Sequence, residues 1–172
     1  MNMNVFLSSC SGKPIYQYKE EAEDYHKERL SRKEDNIRKN IDFILKNTTY
    51  PVETSQVPLI FKEKIYELKA IHNLEIYLYD LNGNLLKSSK ASFIIDTSGT
   101  RMKKYALDAL KKSAPKSFTE EFEDEGQEYR SSYTYITDSH FKPLAILNLP
   151  LIEDDGFIKK EYQIKKCSKL LI

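Results

Sequence analysis

The sequence predicts an α+β protein built on a five-stranded antiparallel sheet with helices on its faces. Three observations carry that expectation. Leu74 to Ser89, LEIYLYDLNGNLLKSS, runs apolar and aromatic residues into an Asn-Gly dipeptide and out again, the pattern of strand, turn, strand. A second strand-rich block, Phe118 to Leu149, is dense in Tyr, Phe, Thr and Ile. Before the first hairpin, and again between it and this block, lie stretches with helical periodicity, so helices and strands are grouped rather than strictly alternating.

Taken in order, Ile15 to about Asn47 holds no glycine or proline and is rich in Glu, Lys and Arg. Tyr18, Ala22 and Tyr25, then Ile37, Ile41, Ile44 and Leu45, fall on helical stripes, with only Leu30 apolar between His26 and Asn36. A helix of ~30 residues spans about 45 Å, more than a small domain needs. Its first half is therefore expected to project, to pair with a partner helix, or both. Asn47 to Pro58, with two prolines, reads as a loop. A second helix follows with Phe61, Ile65, Leu68 and Ile71 inward and Asn73 as its stop. In the hairpin, Leu74, Ile76 and Leu78 point one way while Glu75, Tyr77 and Tyr79 point the other.

Lys90 to Thr100 reads as a loop, and Arg101 to Ser113 as a short amphipathic helix through Met102, Tyr105, Ala106, Ala109 and Leu110, ended by Pro115. Phe118 and Phe122 mark a charged strand, and a turn at Glu125-Gly126 leads into a strand from Glu128 to Thr137. A turn through Asp138 to Pro143 feeds Leu144 to Leu149, whose nearly continuous apolar run predicts a central strand. The lysine-rich tail from Glu153 reads as a helix.

At 172 residues the chain suits one domain, and 40% hydrophobic with 31% charged residues is a globular composition. Lysine and arginine total 27 against 26 acids, which argues against a dedicated nucleic-acid surface. The histidines (His26, His72, His140) and the cysteines (Cys10, Cys167) show no metal-ligand spacing, so no metal or cofactor is expected. The two cysteines are too few for a disulfide framework. No nucleophile elbow, phosphate loop, dinucleotide fingerprint or metalloprotease pattern occurs, and no enzymatic activity is expected. Glu120, Glu121, Glu123, Asp124 and Glu125 match no calcium loop and read as solvated edge-strand charge. Val5-Phe6-Leu7 and Leu170-Leu171-Ile172 are short apolar ends, each a stub of a membrane segment or a frayed terminus. Leu7-Ser8-Ser9-Cys10 has the look of a lipoprotein cleavage site, without the basic and apolar regions that precede one.

The candidate binding residues are Tyr77, Tyr79, Arg130, Ser132 and Tyr133 on strands, beside Tyr135, with Arg101 and Tyr105 on the helix expected to cross them. Aromatic walls with a fixed guanidinium suit a small organic anion. The competing reading makes the tyrosines ordinary sheet residues and pairs Arg130 with a local acid.

LEIYLYDLNGNLLKSS, RMKKYALDAL and EYRSSYTYITDSHFKPLAILNLP, following a long charged helix, together resemble the extracytoplasmic PAS-like (Cache, or PDC) sensor domains of bacterial membrane-bound sensor histidine kinases. The likeness covers roughly Tyr16 to Leu151 and is most specific in the two hairpins and in Asn148-Leu149-Pro150. It implies a five-stranded antiparallel sheet, a long N-terminal helix continuing from a membrane span, and a C-terminal segment returning to the membrane. It divides the chain into a membrane-proximal stub (1–14), a sensor domain (15–152) and a segment leading back to the membrane (153–172). It further implies a homodimer through the N-terminal helix, either a small-molecule ligand or a mechanical state of the envelope moving the helix ends, and an extracytoplasmic (periplasmic) location at the inner membrane. The kinase core, with its phosphoacceptor helix and ATP-binding domain, lies outside this sequence, which by itself would phosphorylate nothing. The alternative is a stand-alone or lipid-anchored extracytoplasmic binding protein of the same fold.

Overall fold

A glycine and an aspartate shape the first hairpin. In the computed structural model, which describes residues 15–90, 100–114, 116–124 and 127–152, strands β1 (Tyr77–Tyr79) and β2 (Leu85–Ser88) are joined through Asp80. The Asp80 N–H donates to the Asn84 carbonyl at 2.8 Å, and Gly83 N–H returns to the Asp80 carbonyl at 3.0 Å. The Asp80 carboxylate accepts from the Asn82 and Asn84 N–H groups, each at 2.8 Å. Of the Asn-Gly pair only Gly83 takes a positive φ, 85°. The connection is thus a longer loop with one left-handed residue rather than a two-residue turn. A Cβ on Gly83 would meet Met102 Cβ at 3.2 Å, so glycine serves both conformation and space.

Strands β3 (Ser117–Asp124), β4 (Gln127–Thr137) and β5 (Pro143–Ile152) form the other half. The sheet is antiparallel in the order β2-β1-β5-β4-β3, so the apolar strand β5 is central as its composition predicts. The β4–β5 turn repeats the first one. Asp138 N–H bonds the Lys142 carbonyl at 2.9 Å and Phe141 N–H the Asp138 carbonyl at 3.0 Å, and the carboxylate accepts from His140 and Lys142 N–H at 2.8 Å each. Phe141 takes the place of Gly83, with φ 60°.

Helix α1 (Ile15–Asn47) precedes a 3-10 turn (Thr54–Gln56) and the short α2 (Val57–Ile60), α3 (Lys64–His72) follows, and α4 (Lys104–Lys112) lies between the two halves of the sheet. On one face of the sheet, Ile37, Ile41 and Leu45 of α1 pack with Val57, Ile60, Phe61, Ile65 and Leu68 against Ile76, Leu78, Ile136, Leu147 and Leu149. The opposite face carries Tyr79, Tyr133 and Ile146 under Met102, Ala106 and Leu110. Asn47 closes α1 by donating its amide to the Phe43 carbonyl at 2.7 Å. Asn73 ends α3 in the left-handed conformation, φ 48°, as its composition predicts.

Three expectations change. The predicted second helix is interrupted between Ile60 and Lys64; Phe61, Ile65 and Leu68 are buried as expected, but Ile71, in the last turn of α3, is 69% exposed. His72 faces α1 instead, its Nε2 bonded to the Asn40 amide at 2.9 Å. The expected loop up to Pro58 already contains a helical turn and the start of α2. Arg101 lies outside α4, in an isolated bridge with Asn84, because Met102 N–H is held by the Gly83 carbonyl at 2.7 Å and keeps the segment extended. The tail from Glu153, the turn at Glu125-Gly126, residues 91–99, the stub 1–14 with Cys10, Cys167 and the side chains of Tyr18, Ala22 and Tyr25 lie outside what is described.

Candidate functional site

Strand parity decides which candidate residues meet. Tyr77 pairs with Asn148, Asn148 with Tyr133 and Tyr133 with Phe118, so one row crosses four strands on the α4 side. The next row holds Tyr79, Ile146 and Tyr135, and a third holds Pro150, Ser131 and Glu120. Directly opposed side chains in a sheet share a face, which places Tyr77, Tyr79 and Tyr133 together. The rings of Tyr77 and Tyr79 stack with centroids 6.5 Å apart, and those of Phe118 and Tyr133 at 6.0 Å.

Arg130 and Ser132 alternate with Tyr133 and Ser131 and so project from the other face. Arg130 Nη2 is 2.5 Å from Glu121 Oε1, its cross-strand partner. Ser132 is buried directly opposite Leu149. The arrangement of one guanidinium among tyrosines therefore does not form. Arg101, exposed and outside the helix, does not cross the tyrosines either. Tyr105 lies on α4 but is 52% exposed, and its hydroxyl reaches the edge strand, where it bonds Glu120 Oε1.

The face is more polar than its neighbours in the sheet. Asn148 is buried and donates its amide to Ser131 Oγ at 2.7 Å and to the Ser132 carbonyl at 3.1 Å. Lys103 Nζ lies 3.2 Å from Glu120 Oε1 and 3.2 Å from the Tyr105 hydroxyl. Glu120 keeps only 12% of its side chain exposed, and its Oε2 is buried without a hydrogen-bond partner among the described residues. Burial pushes the Tyr79 phenol up to about 12, reinforced by the neighbouring Tyr133 and Tyr77. Burial likewise raises Tyr133, whose Ser131 hydrogen bond works against it while the Glu120 charge adds to it.

No family model matches this chain, and no curated protein matches it. Among the described residues no three His, Cys, Asp or Glu side chains gather as a metal ion would require. No described helix is long and apolar enough to cross a membrane.

Glu120, expected to be solvated edge-strand charge, is instead largely buried, and neither it nor Ser131 or Asn148 was among the candidate binding residues. A signal for Glu120 was present: it stands two residues from Phe118, hence on the same face in a strand, and directly across from Ser131. Asn148 was also legible as the lone amide in an otherwise apolar strand, where a buried amide must find partners.

Proposed function

We propose that this chain is a small-molecule-sensing domain of PAS-like, Cache type, the extracytoplasmic sensor of a two-component histidine kinase whose catalytic core is a separate part of the system. The observation that carries the reading is the direction of the chain. Thr54, just after α1, donates its hydroxyl to the Leu144 carbonyl at the start of β5 at 2.6 Å. Asn40, earlier in α1, bonds His72, which leads into Tyr77 opposite Asn148 near the end of β5. Helix α1 therefore runs antiparallel to β5, and the chain enters and leaves at the same end of the sheet. Two connections at one end suit a domain inserted between membrane segments, where a shift of β5 relative to α1 is felt at both.

The other support is the division of labour between the faces. One face is filled by apolar side chains of α1, α2 and α3, while the α4 face mixes phenols, an amide and a carboxylate. A ligand needs convergent polar groups within an apolar frame, and the α4 face supplies them in Asn148, Ser131 and Glu120. Any ligand held there touches β5 through Asn148, the strand that runs to the exit. In this reading the homodimer forms through the N-terminal part of α1, outside the sheet.

A thermal-shift screen of the purified chain against amines, amino acids, carboxylic acids and sugars tests the proposal, paired with light scattering across protein concentration. The expected result is a saturable stabilisation by at least one compound and a dimer at high concentration. A flat response across the panel, with a strict monomer, would refute it.

A further inference from the structure

We infer that the α4 face takes a small molecule carrying a primary ammonium or a similar cationic hydrogen-bond donor, anchored by Glu120 and walled by Tyr133. The inference rests on reading this face as the ligand site, and it reverses the anion that the tyrosines and Arg130 predict from sequence.

The reversal follows from which charges reach the face. The one arginine of β4 is turned to the other side and engaged by Glu121. Glu120, in contrast, sits on the α4 side, across from Ser131 and in the row next to Phe118 and Tyr133. Its two oxygens differ. Oε1 receives the Tyr105 hydroxyl and Lys103 Nζ, whereas Oε2 is buried and has no partner among the described residues. A desolvated carboxylate oxygen left unmatched is costly, and a donor that arrives with charge recovers the most.

The surroundings favour the same sign. Ser131 Oγ receives the Asn148 amide and keeps its own O–H to donate, a neutral donor that brings no positive charge to hold an anion. Tyrosine rings present negative faces, which attract cations and repel carboxylates. Lys103 is the nearby cation, but its side chain is 57% exposed and it serves Oε1 from the outside. An ammonium bound to Oε2 has the rings of Phe118 and Tyr133, in the neighbouring row, for its apolar part.

The test is a two-dimensional amide NMR titration of the full chain with isobutylammonium chloride, and in parallel with sodium isobutyrate of the same shape and opposite charge. The expected result is saturable shifts at Glu120, Ser131, Tyr133 and Asn148 with the ammonium alone. Glu120→Gln should weaken that binding at least about tenfold, because a charge-assisted bond becomes a neutral one. Lys103→Met, an exposed change that removes a competing cation, should tighten it about threefold. Saturation by isobutyrate at the same amides would overturn the cationic assignment while leaving a small-molecule site on this face intact. Absence of any saturable response to the ammonium, or affinity unchanged within about twofold in Glu120→Gln, would overturn it outright.

Discussion

Phe141 and Gly83 occupy equivalent places in two turns built on the same hydrogen bonds, which makes Phe141→Gly an internally controlled experiment. Phe141 holds φ 60° while its ring is 84% exposed. The left-handed conformation costs a residue with a Cβ about 1–2 kcal/mol, and little ring burial offsets it. Glycine removes that cost but adds about 0.5–1 kcal/mol through the greater freedom of its unfolded chain. The expected net is a stabilisation of roughly 0.5–1 kcal/mol, or about 1–4 °C in midpoint for a chain of this size. Gly83→Ala is the reciprocal change. It imposes the left-handed penalty and drives a Cβ to 3.2 Å from Met102 Cβ and 3.3 Å from Leu107 Cδ2, for a loss of about 2 kcal/mol. Urea titrations followed by circular dichroism measure both. If Phe141→Gly is neutral or destabilising while Gly83→Ala behaves as stated, the exposed ring is making a contribution that its exposure does not account for, and the reasoning fails.

The remaining predictions concern titration and packing. Because the Tyr79 phenol is held at about 12, above its ordinary 10.0, its stability contribution is intact below the unfolded value. That contribution is lost as pH rises towards the folded one, about 3 kcal/mol in all; Tyr79→Phe should flatten the alkaline limb of a stability-pH curve, and an unchanged limb would sink the assignment. Burial alone would raise the Asp80 carboxyl, but hydrogen bonds from the Asn84 side chain and from the Asn84, Asn82 and Gly83 N–H groups outweigh it and hold it below its ordinary range. Its contribution is therefore present above the unfolded value and disappears as pH falls through the folded one; Asp80→Asn should lose stability at neutral pH and shed that acid dependence in urea midpoints. Ile41→Ala, in a side chain 1% exposed at the α1–sheet contact, should cost about 2–5 kcal/mol in chemical denaturation; a cost under about 1 kcal/mol would mean that α1 is not packed as described.

What was legible in the sequence was mostly local. Alternation along Leu74 to Leu78 assigned both faces of β1 correctly, and the nearly continuous apolar run of β5 announced its central position. Where a buried stripe stops was not legible. Phe61, Ile65 and Leu68 are buried, yet Ile71 on the same helical period is exposed in the last turn of α3, where it is His72 that meets Asn40 of α1. That the candidate residues divide between two faces has a simpler account. Grouping Arg130 and Ser132 with Tyr133 ignored strand parity, a rule that needs no structure, whereas the reach of Tyr105 and Lys103 to Glu120 depends on how α4 docks, a tertiary fact. The likeness of the Asp80 and Asp138 turns was masked by Phe141, because a bulky residue hides a left-handed position that glycine advertises.

The pairing of β1 with β5 has a consequence for how this protein is born. The first hairpin is complete by Ser88, but among the described residues its route into the rest of the sheet is the short seam from Tyr77↔Asn148 to Tyr79↔Ile146. On a ribosome that seam cannot form until nearly the whole domain has emerged. Until then β1 offers an open edge and α1 has only α2, α3 and the first hairpin to pack on. Long-range closure of this kind slows folding, and an unpaired strand edge invites pairing with other chains. The last strand synthesised is thus the one that joins two waiting halves, and substitutions at Ile146 or Leu147 should show first in the yield of soluble protein rather than in the behaviour of molecules that have already folded.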